Sequence, residues 1–450
     1  MAGIGFDLKK LLNEDSAQSK VSAFFYTALV TSGPWLFAVI SLSVISSFGK
    51  ILTSEKVMIE FMGVAVYAFA FSMIFTSGSQ WVITRLVSDC LYGGEVEKIP
   101  GIFSATMLLT LLLCLIPGIP AVYLLHLPLY SSMLCLALFV LCGQMWMTML
   151  FISALKEYMR IVWAFLIGFL VAIPLSLHIG GILGRDGFLT GLCLGISIIV
   201  FMLVLSILVE FNSSLKPDWS ILKAHSRYKI LFFASLVMIL GLWIDKLIFW
   251  FHEGFNTLGY LKVFPIYDGS MFIAYLTVLP VMAFFVMIIE TDFYDGYRRF
   301  YYLIDRKVPY MVLKHARNDM VLNLLNNGKR ALIFQLALTS GLIFLSPWLV
   351  PVFHFSWEQW PVMRIGLVAA ILHMMFSLLN IVLAYFDCRK ELLWTGLVYL
   401  IVNVLGTFWT LDNPWLYGYG YLMAGLAGSL TSFGLVMFRI KYLMYYTFVQ

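Results

Sequence analysis

Charge is scarce in this sequence. Only 12% of its 450 residues are Asp, Glu, Lys or Arg, against roughly 25% in an ordinary soluble domain. Apolar residues make up 62% and the mean hydropathy is +0.93, an excess that one soluble core cannot hide beneath a polar skin. A water-soluble globule is therefore excluded. Cysteine is also sparse. The six residues Cys90, Cys114, Cys135, Cys142, Cys193 and Cys388 show no CxxC or metal-like spacing and read as reduced packing residues in or beside apolar runs. Also missing are a Gly-rich P-loop with its lysine, an HExxH pair and any paired Cys/His spacing. An ATP-driven pump and a metalloenzyme are thus disfavoured, and no metal or cofactor is expected. The net charge of +5 is small and is placed by membrane orientation rather than by a nucleic-acid footprint, so a nucleic-acid partner is not expected.

What the chain does have is long apolar runs. Twelve stretches of about 18 residues or more, the minimum for a membrane span, lie near 21–48, 61–86, 101–124, 129–155, 161–183 and 188–209, then 230–251, 267–289, 331–353, 361–386, 392–411 and 418–438. Twelve spans of about 20 residues consume about 240 positions, which leaves short loops and no room for a folded catalytic domain. The first run carries no charge and no small-residue cleavage site, so it reads as a retained span. If the N-terminus lies in the cytoplasm, only Lys50, Lys56, Arg185, Lys246, Lys262 and Arg364 fall in outer segments, leaving 23 of the 29 Lys and Arg inside. That split obeys the positive-inside rule and predicts that both termini are cytoplasmic.

Six spans, a charged linker at 210–229 and six more spans describe two homologous lobes, 1–209 and 230–450. Local echoes agree. Ser88-Asp89-Cys90-Leu91-Tyr92-Gly93 after span two parallels Thr291-Asp292-Phe293-Tyr294-Asp295-Gly296 after span eight. Trp163 and Trp394 sit alike after the tight loops that follow spans four and ten. The one mismatch is a cytoplasmic insertion at 290–330. There Phe300, Leu303, Ile304, Val308, Met311 and Val312 keep helical spacing, Pro309 interrupts, and Met320, Val321, Leu324 and Leu325 resume it. This segment reads either as an interfacial helix on anionic lipid or as a docking site for a cytoplasmic partner. A shorter amphipathic piece with Ile4, Leu8, Leu11 and Leu12 on one side opens the chain as an interfacial anchor.

Charge within a span is costly and marks a candidate site. Asp245 and Lys246 lie in the outer half of span seven. Neighbours on a helix point about 100° apart, so the two need not pair, and Asp268 at the start of span eight is the expected partner of Lys246. The group reads either as a packing ion pair or as a proton-responsive or substrate-facing site. Arg85 and Glu290 end spans two and eight at equivalent places and read as snorkelling residues or as an inner gate. Gln80, Gln144, Gln335, His373, Asn380 and Asn403 are uncharged polar groups at mid-span that either bridge helices or line a hydrated path. Gly33-Pro34-Trp35 breaks the ladder of span one, and Trp35 with Trp146 lies too deep for an interface belt, where an indole either fills a helix contact or stacks on sugar rings.

Taken together, the strings Met1-Ala2-Gly3-Ile4-Gly5-Phe6, Ser32-Gly33-Pro34-Trp35, Trp243-Ile244-Asp245-Lys246 and Glu290-Thr291-Asp292-Phe293-Tyr294 resemble the PelG family, inner-membrane components of Pel exopolysaccharide secretion in bacteria. The resemblance implies a MATE-like flippase fold, all-α with twelve transmembrane helices in two six-helix lobes around a cavity that opens alternately to each side. It implies export of a hexosamine-rich polysaccharide through the cleft between lobes, in support of extracellular matrix and biofilm. A cytoplasmic glycosyltransferase and other Pel membrane proteins are the implied partners, and the bacterial inner membrane the implied location. No catalytic residues carry over. A cation-coupled multidrug antiporter and a lipid-linked oligosaccharide flippase of the same fold are the alternatives. Against the first, spans one to six have no acidic residue at mid-membrane. A major-facilitator carrier would show Gly-x-x-x-Asp-Arg after span two, and that pattern is absent.

Overall fold

The computed structural model describes residues 17–154, 157–211, 214–288, 293–352 and 356–449. The amphipathic opening piece and Glu290 lie outside them. Twelve described helices are long and apolar enough to cross a membrane, so the apolar runs do mark the spans. The helices overrun the runs because polar caps and amphipathic turns continue them past the lipid core. The first six are α1 (Ala17–Leu52), α2 (Glu55–Tyr92), α3 (Ile99–Leu124), α4 (Leu129–Ala154), α5 (Tyr158–Leu183) and α6 (Arg185–Glu210). Helix α2 has 38 residues, and its start is fixed by Ser54, whose hydroxyl accepts from the Val57 amide. A short amphipathic helix, α7 (Ser220–Arg227), precedes span seven, α8 (Lys229–His252). The remaining helices are α9 (Pro265–Ile288), α10 (Tyr294–Asp305), α11 (Tyr310–Val352), α12 (Gln359–Tyr385), α13 (Arg389–Thr410), α14 (Tyr419–Lys441) and the terminal α15 (Leu443–Val449).

Contacts divide the chain into two compact units. The first comprises Gly33–Trp243 and Phe249–Phe264, and the second Met1–Ser32, Ile244–Ile248 and Pro265–Gln450. Helix α1 is shared between them at Ser32 and Gly33, beside Pro34, which removes one backbone donor from the helix ladder.

Lipid gives helices no hydrophobic reason to associate, so close backbone approach and polar bonds hold each unit together. In the first unit, Gly187, Gly191 and Gly195 recur every fourth residue along α6. A Cβ at these positions would strike the Ile179 carbonyl, the Ser176 backbone and Ala172 of α5 respectively. Gly184, at φ +62°, makes the turn between the two helices. The second unit uses the same device between α13 and α14, where a Cβ on Gly420 would strike the backbone of Thr407.

Two features depart from the sequence-based expectation. The loop after α8 forms an antiparallel hairpin, β1 (Phe255–Leu258) and β2 (Leu261–Val263), with Phe255 opposite Val263. It is held to α2 by the Tyr67 hydroxyl, which donates to the Lys262 carbonyl at 2.7 Å. The second departure is in the insertion. Pro309 does separate two helices, but the stretch after it is not a separate amphipathic piece. It forms the first turns of α11, 43 residues long, which runs on without a break as span nine. Leu313, Ala316, Met320, Leu324 and Asn327 are buried along one stripe of this extension, and α10 packs against it with Phe300 fully buried. Phe293 and Tyr297 at the start of α10 meet Tyr385 and Phe386 at the end of α12. Burial pushes the Tyr297 phenol well above its ordinary range, so it stays a neutral, packed ring.

Candidate functional site

Each unit contains a group of polar or aromatic side chains drawn from the candidate residues. In the second unit it centres on Asp245 and Lys246. Asp245 is fully buried and Lys246 is 9% exposed. The Tyr267 hydroxyl of α9 donates to Asp245 Oδ2 at 2.6 Å. Lys246 Nζ lies 3.4 Å from Asp245 Oδ1 and 2.8 Å from the Tyr275 hydroxyl, with the Tyr275 ring centroid 4.4 Å away. The long lysine stem thus turns back on its own neighbour and overcomes the 100° divergence of adjacent helix positions. Asp245 is thus a carboxylate placed against Lys246 at salt-bridge distance. A buried charge needs this much company, because an ion pair in low dielectric repays its desolvation only when its remaining atoms are also hydrogen-bonded.

Around this pair the second unit builds an aromatic cage from three further helices. His373 of α12 lies 3.3 Å from the Tyr399 hydroxyl through Nδ1 and packs against Tyr275 and Tyr421. Tyr399 stacks on Phe376 at 4.5 Å between centroids. Asn380 donates to Ser432 Oγ at 3.2 Å and accepts from Thr395 at 2.6 Å, joining α12, α13 and α14. Gln335 of α11 donates to Thr277 of α9 at 3.1 Å. Asn403 is fully buried and accepts from Thr407 one turn along α13. The structure therefore gathers Asp245, Lys246 and His373 around the tyrosine cage, and places Gln335, Asn380 and Asn403 as buried bridges between or along helices of the same unit. The four tyrosines, 267, 275, 399 and 421, were not singled out from sequence. Tyr275 and Tyr399 lie well inside apolar runs, which is a signal, whereas Tyr267 and Tyr421 stand at run ends and look like interface residues.

The first unit holds the other group. Trp35 of α1 stacks on Trp146 of α4 with centroids 6.2 Å apart and planes 30° from parallel. Trp146 donates through Nε1 to Ser72 Oγ at 3.1 Å and meets Phe69 edge-on. Gln80, two turns beyond Ser72, donates to Thr76 Oγ1 at 3.3 Å. Gln144 donates to the Met107 carbonyl at 3.0 Å, tying α4 to α3. Toward the C-terminal end of α2, Arg85 pairs with Asp89 one turn on, at 3.0 Å. Tyr228 donates to the same carboxylate at 2.5 Å. Burial, then this hydrogen bond, raises the Tyr228 phenol above its usual value and keeps it a donor. Arg85 is thus neutralised within its own helix, and its expected gate partner Glu290 is among the undescribed residues. Among the described residues no group of three or more His, Cys, Asp or Glu side chains could hold a metal ion.

The fold is shared with an outward-facing multidrug resistance MATE family transporter of the MOP superfamily, at TM-score 0.65 and 13% identity over 93% of this chain and 96% of that one. A MATE structure in the bent conformation matches at TM-score 0.65 and 13% identity over 99% of each chain. A MOP superfamily transporter from Pyrococcus furiosus, described as having a binding pocket of reversed polarity, matches at TM-score 0.60 and 13% identity over 93% of this chain and 96% of that one. No curated protein matches the chain. Residues 1–448 match the model of PelG, exopolysaccharide exporter (EPS-E), and the chain belongs to that family. It is a multi-pass membrane protein whose family and fold are those of exporters and transporters, not of enzymes.

Proposed function

We propose that the protein exports a hexosamine-rich, Pel-like exopolysaccharide across the bacterial inner membrane and so supplies an extracellular biofilm matrix. The observation that carries this reading is the family match over 448 of 450 residues. A cation-coupled antiporter of the same fold is supported less, since the first six spans offer no carboxylate at mid-membrane to take a coupling ion. Secreted hexosamine polymer is the readout. Cells that lack the chromosomal copy should secrete polymer only when this chain is supplied, and polymer secretion that is indifferent to the chain overturns the reading.

The partner in this proposal is a cytoplasmic glycosyltransferase, and the arm formed by α10 and the start of α11 is its docking element. About twenty residues of α11 precede the apolar run of span nine, which is about 30 Å of helix. A helix continuous with a span follows the span's axis for that distance instead of lying flat on lipid. The arm carries Arg298, Arg299, Arg306, Lys307, Lys314, Arg317, Lys329 and Arg330 against Asp295, Asp305 and Asp319, and exposes Tyr302, Tyr310, Met311 and Leu322. Such a surface suits an acidic protein partner with an apolar centre. Reversing Arg298, Arg299, Arg306 and Lys307 to Glu should abolish co-purification with the glycosyltransferase while the exporter stays in the membrane. Unchanged co-purification would remove the arm from the interface.

A further inference from the structure

The geometry points to a glycan-binding track in the first unit, formed by one ridge of α2 and the Trp35–Trp146 pair. It rests on the export reading above and says where the polymer is held. Ser72, Thr76, Gln80, Thr84 and Ser88 recur every fourth residue, so they lie on a single i±4 ridge of the helix. The run of five polar side chains covers about 24 Å of helix.

Exposure grades along the ridge. Ser88 and Thr84 are exposed, Gln80 is half-buried, and Thr76 and Ser72 are fully buried. Each hydroxyl from Thr76 to Ser88 has a bonded partner. Thr84 and Ser88 donate back to the carbonyls of Gln80 and Thr84 at 2.8 Å, which turns their oxygen lone pairs outward as acceptors. Thr76 donates to the Ser72 carbonyl and accepts from Gln80, which fixes the Gln80 amide and leaves its Oε1 uncommitted among the described residues. Ser72 ends the ridge by holding the Trp146 indole. Trp146 in turn backs the ring of Trp35, which is 40% exposed.

Acceptors and an amide on one line, ending at a buttressed and open indole face, match the two sides of a pyranose. Its hydroxyl and N-acetyl edges need hydrogen-bond partners, and its C–H face packs on an aromatic ring. The ligand class is an uncharged N-acetylhexosamine chain. Hydrocarbon lipid would gain nothing from the graded amide and hydroxyls, and a drug-like cation would need a carboxylate that the ridge does not have. Trp35 and Gln80 are the contact residues, and Ser72, Thr76 and Trp146 are positioning residues.

Calorimetric titration of the full chain in nanodiscs with N-acetylglucosamine and N-acetylgalactosamine hexasaccharides tests the track, alongside polymer secretion by cells carrying the same variants. Wild type should bind one of the two probes, Trp35→Ala and Gln80→Ala should each weaken binding about tenfold or more, and Trp35→Phe should restore most of it. Trp163→Ala, which removes an exposed indole elsewhere in the same unit, should leave binding unchanged. Thermal midpoints equal to wild type confirm that the variants are folded. Binding indifferent to Trp35 and Gln80, or no binding of either probe by a chain that supports secretion, overturns the track and leaves the export reading standing. Failure of wild type to support secretion overturns the export reading itself.

Discussion

Tyr267 and Asp245 are both fully buried, and the tyrosine hydroxyl donates to the carboxylate at 2.6 Å. With Lys246 on the other oxygen, Asp245 has a partner on each side, and the two helices that carry them, α8 and α9, are pinned at membrane depth. The geometry favours a packing role for this pair, because neither Asp245 oxygen is open.

The first prediction follows from that closure. Asp245→Asn or Lys246→Met alone should leave an uncompensated buried charge, at a cost of roughly 3–5 kcal/mol, and should lower the protein's level in the membrane. The double neutral variant should recover much of the loss. Membrane abundance and thermal midpoint of the three variants decide it, and singles with normal abundance but failed export would instead make the pair a transport site.

Tyr267→Phe should be milder. It removes one hydrogen bond to a charged acceptor, about 1.5–3 kcal/mol, without adding bulk. A thermal midpoint lowered by less than in Asp245→Asn is the expected ordering.

The glycine face of α6 predicts a different failure. Gly191→Val places a branched side chain against the Ser176 backbone, which rotamer changes cannot relieve, so the α5–α6 hairpin must separate. The loss should reach or exceed the roughly 1–3 kcal/mol of core overpacking. Gly181→Ala, on the same hairpin but in open space, should be tolerated, and thermal unfolding of the two variants checks the contrast.

At the start of α6, Arg185 reaches Glu60 at 3.2 Å, Asp186 at 2.9 Å and Ser131 Oγ at 3.1 Å, with only 16% of its side chain exposed. Lysine has one ammonium where arginine has a planar fork. Arg185→Lys should therefore keep the charge yet lose about 1–3 kcal/mol, visible as a lower thermal midpoint.

Cys388, in the turn between α12 and α13, is 2% exposed, and burial pushes its thiol up to about 11. The folded state thus retains a proton that an unfolded thiol, at 9.0, would release. Stability from this group is complete below about pH 9 and is lost as pH rises from there through about 11. In a variant keeping Cys388 as its only cysteine, iodoacetamide at pH 8 should label the native protein far more slowly than the denatured one. Equal rates would refute the burial argument.

The spans were legible because lipid imposes a length and a composition that no other environment requires, so runs such as 188–209 identify themselves. The buried charge at Asp245 and Lys246 was legible for the same reason. Its surroundings were not, because Tyr275, Tyr399 and Tyr421 come from three helices far apart in sequence, and a tyrosine in an apolar run looks like packing until its neighbours are known. The mutual pairing of Asp245 and Lys246 was missed because helix geometry fixes Cβ directions but not the reach of a flexible lysine. The hairpin at 255–263 was missed because three residue pairs with a Gly259 turn leave too short an alternation to stand out. In the first unit, Trp35 and Trp146 could be nominated by depth alone, but only the fold brings their rings together.

Helix α11 has a mechanical consequence. Since it is one continuous helix from Tyr310 with no proline before Pro347, its polar first turns and the apolar turns that follow them form a single stiff rod. A load applied to the arm cannot be absorbed at a joint along that rod, so a polymer-making machine that pushes or pulls there also strains span nine and, through Gln335 and Thr277, span eight. Force, and not only recognition, can enter the membrane by this route.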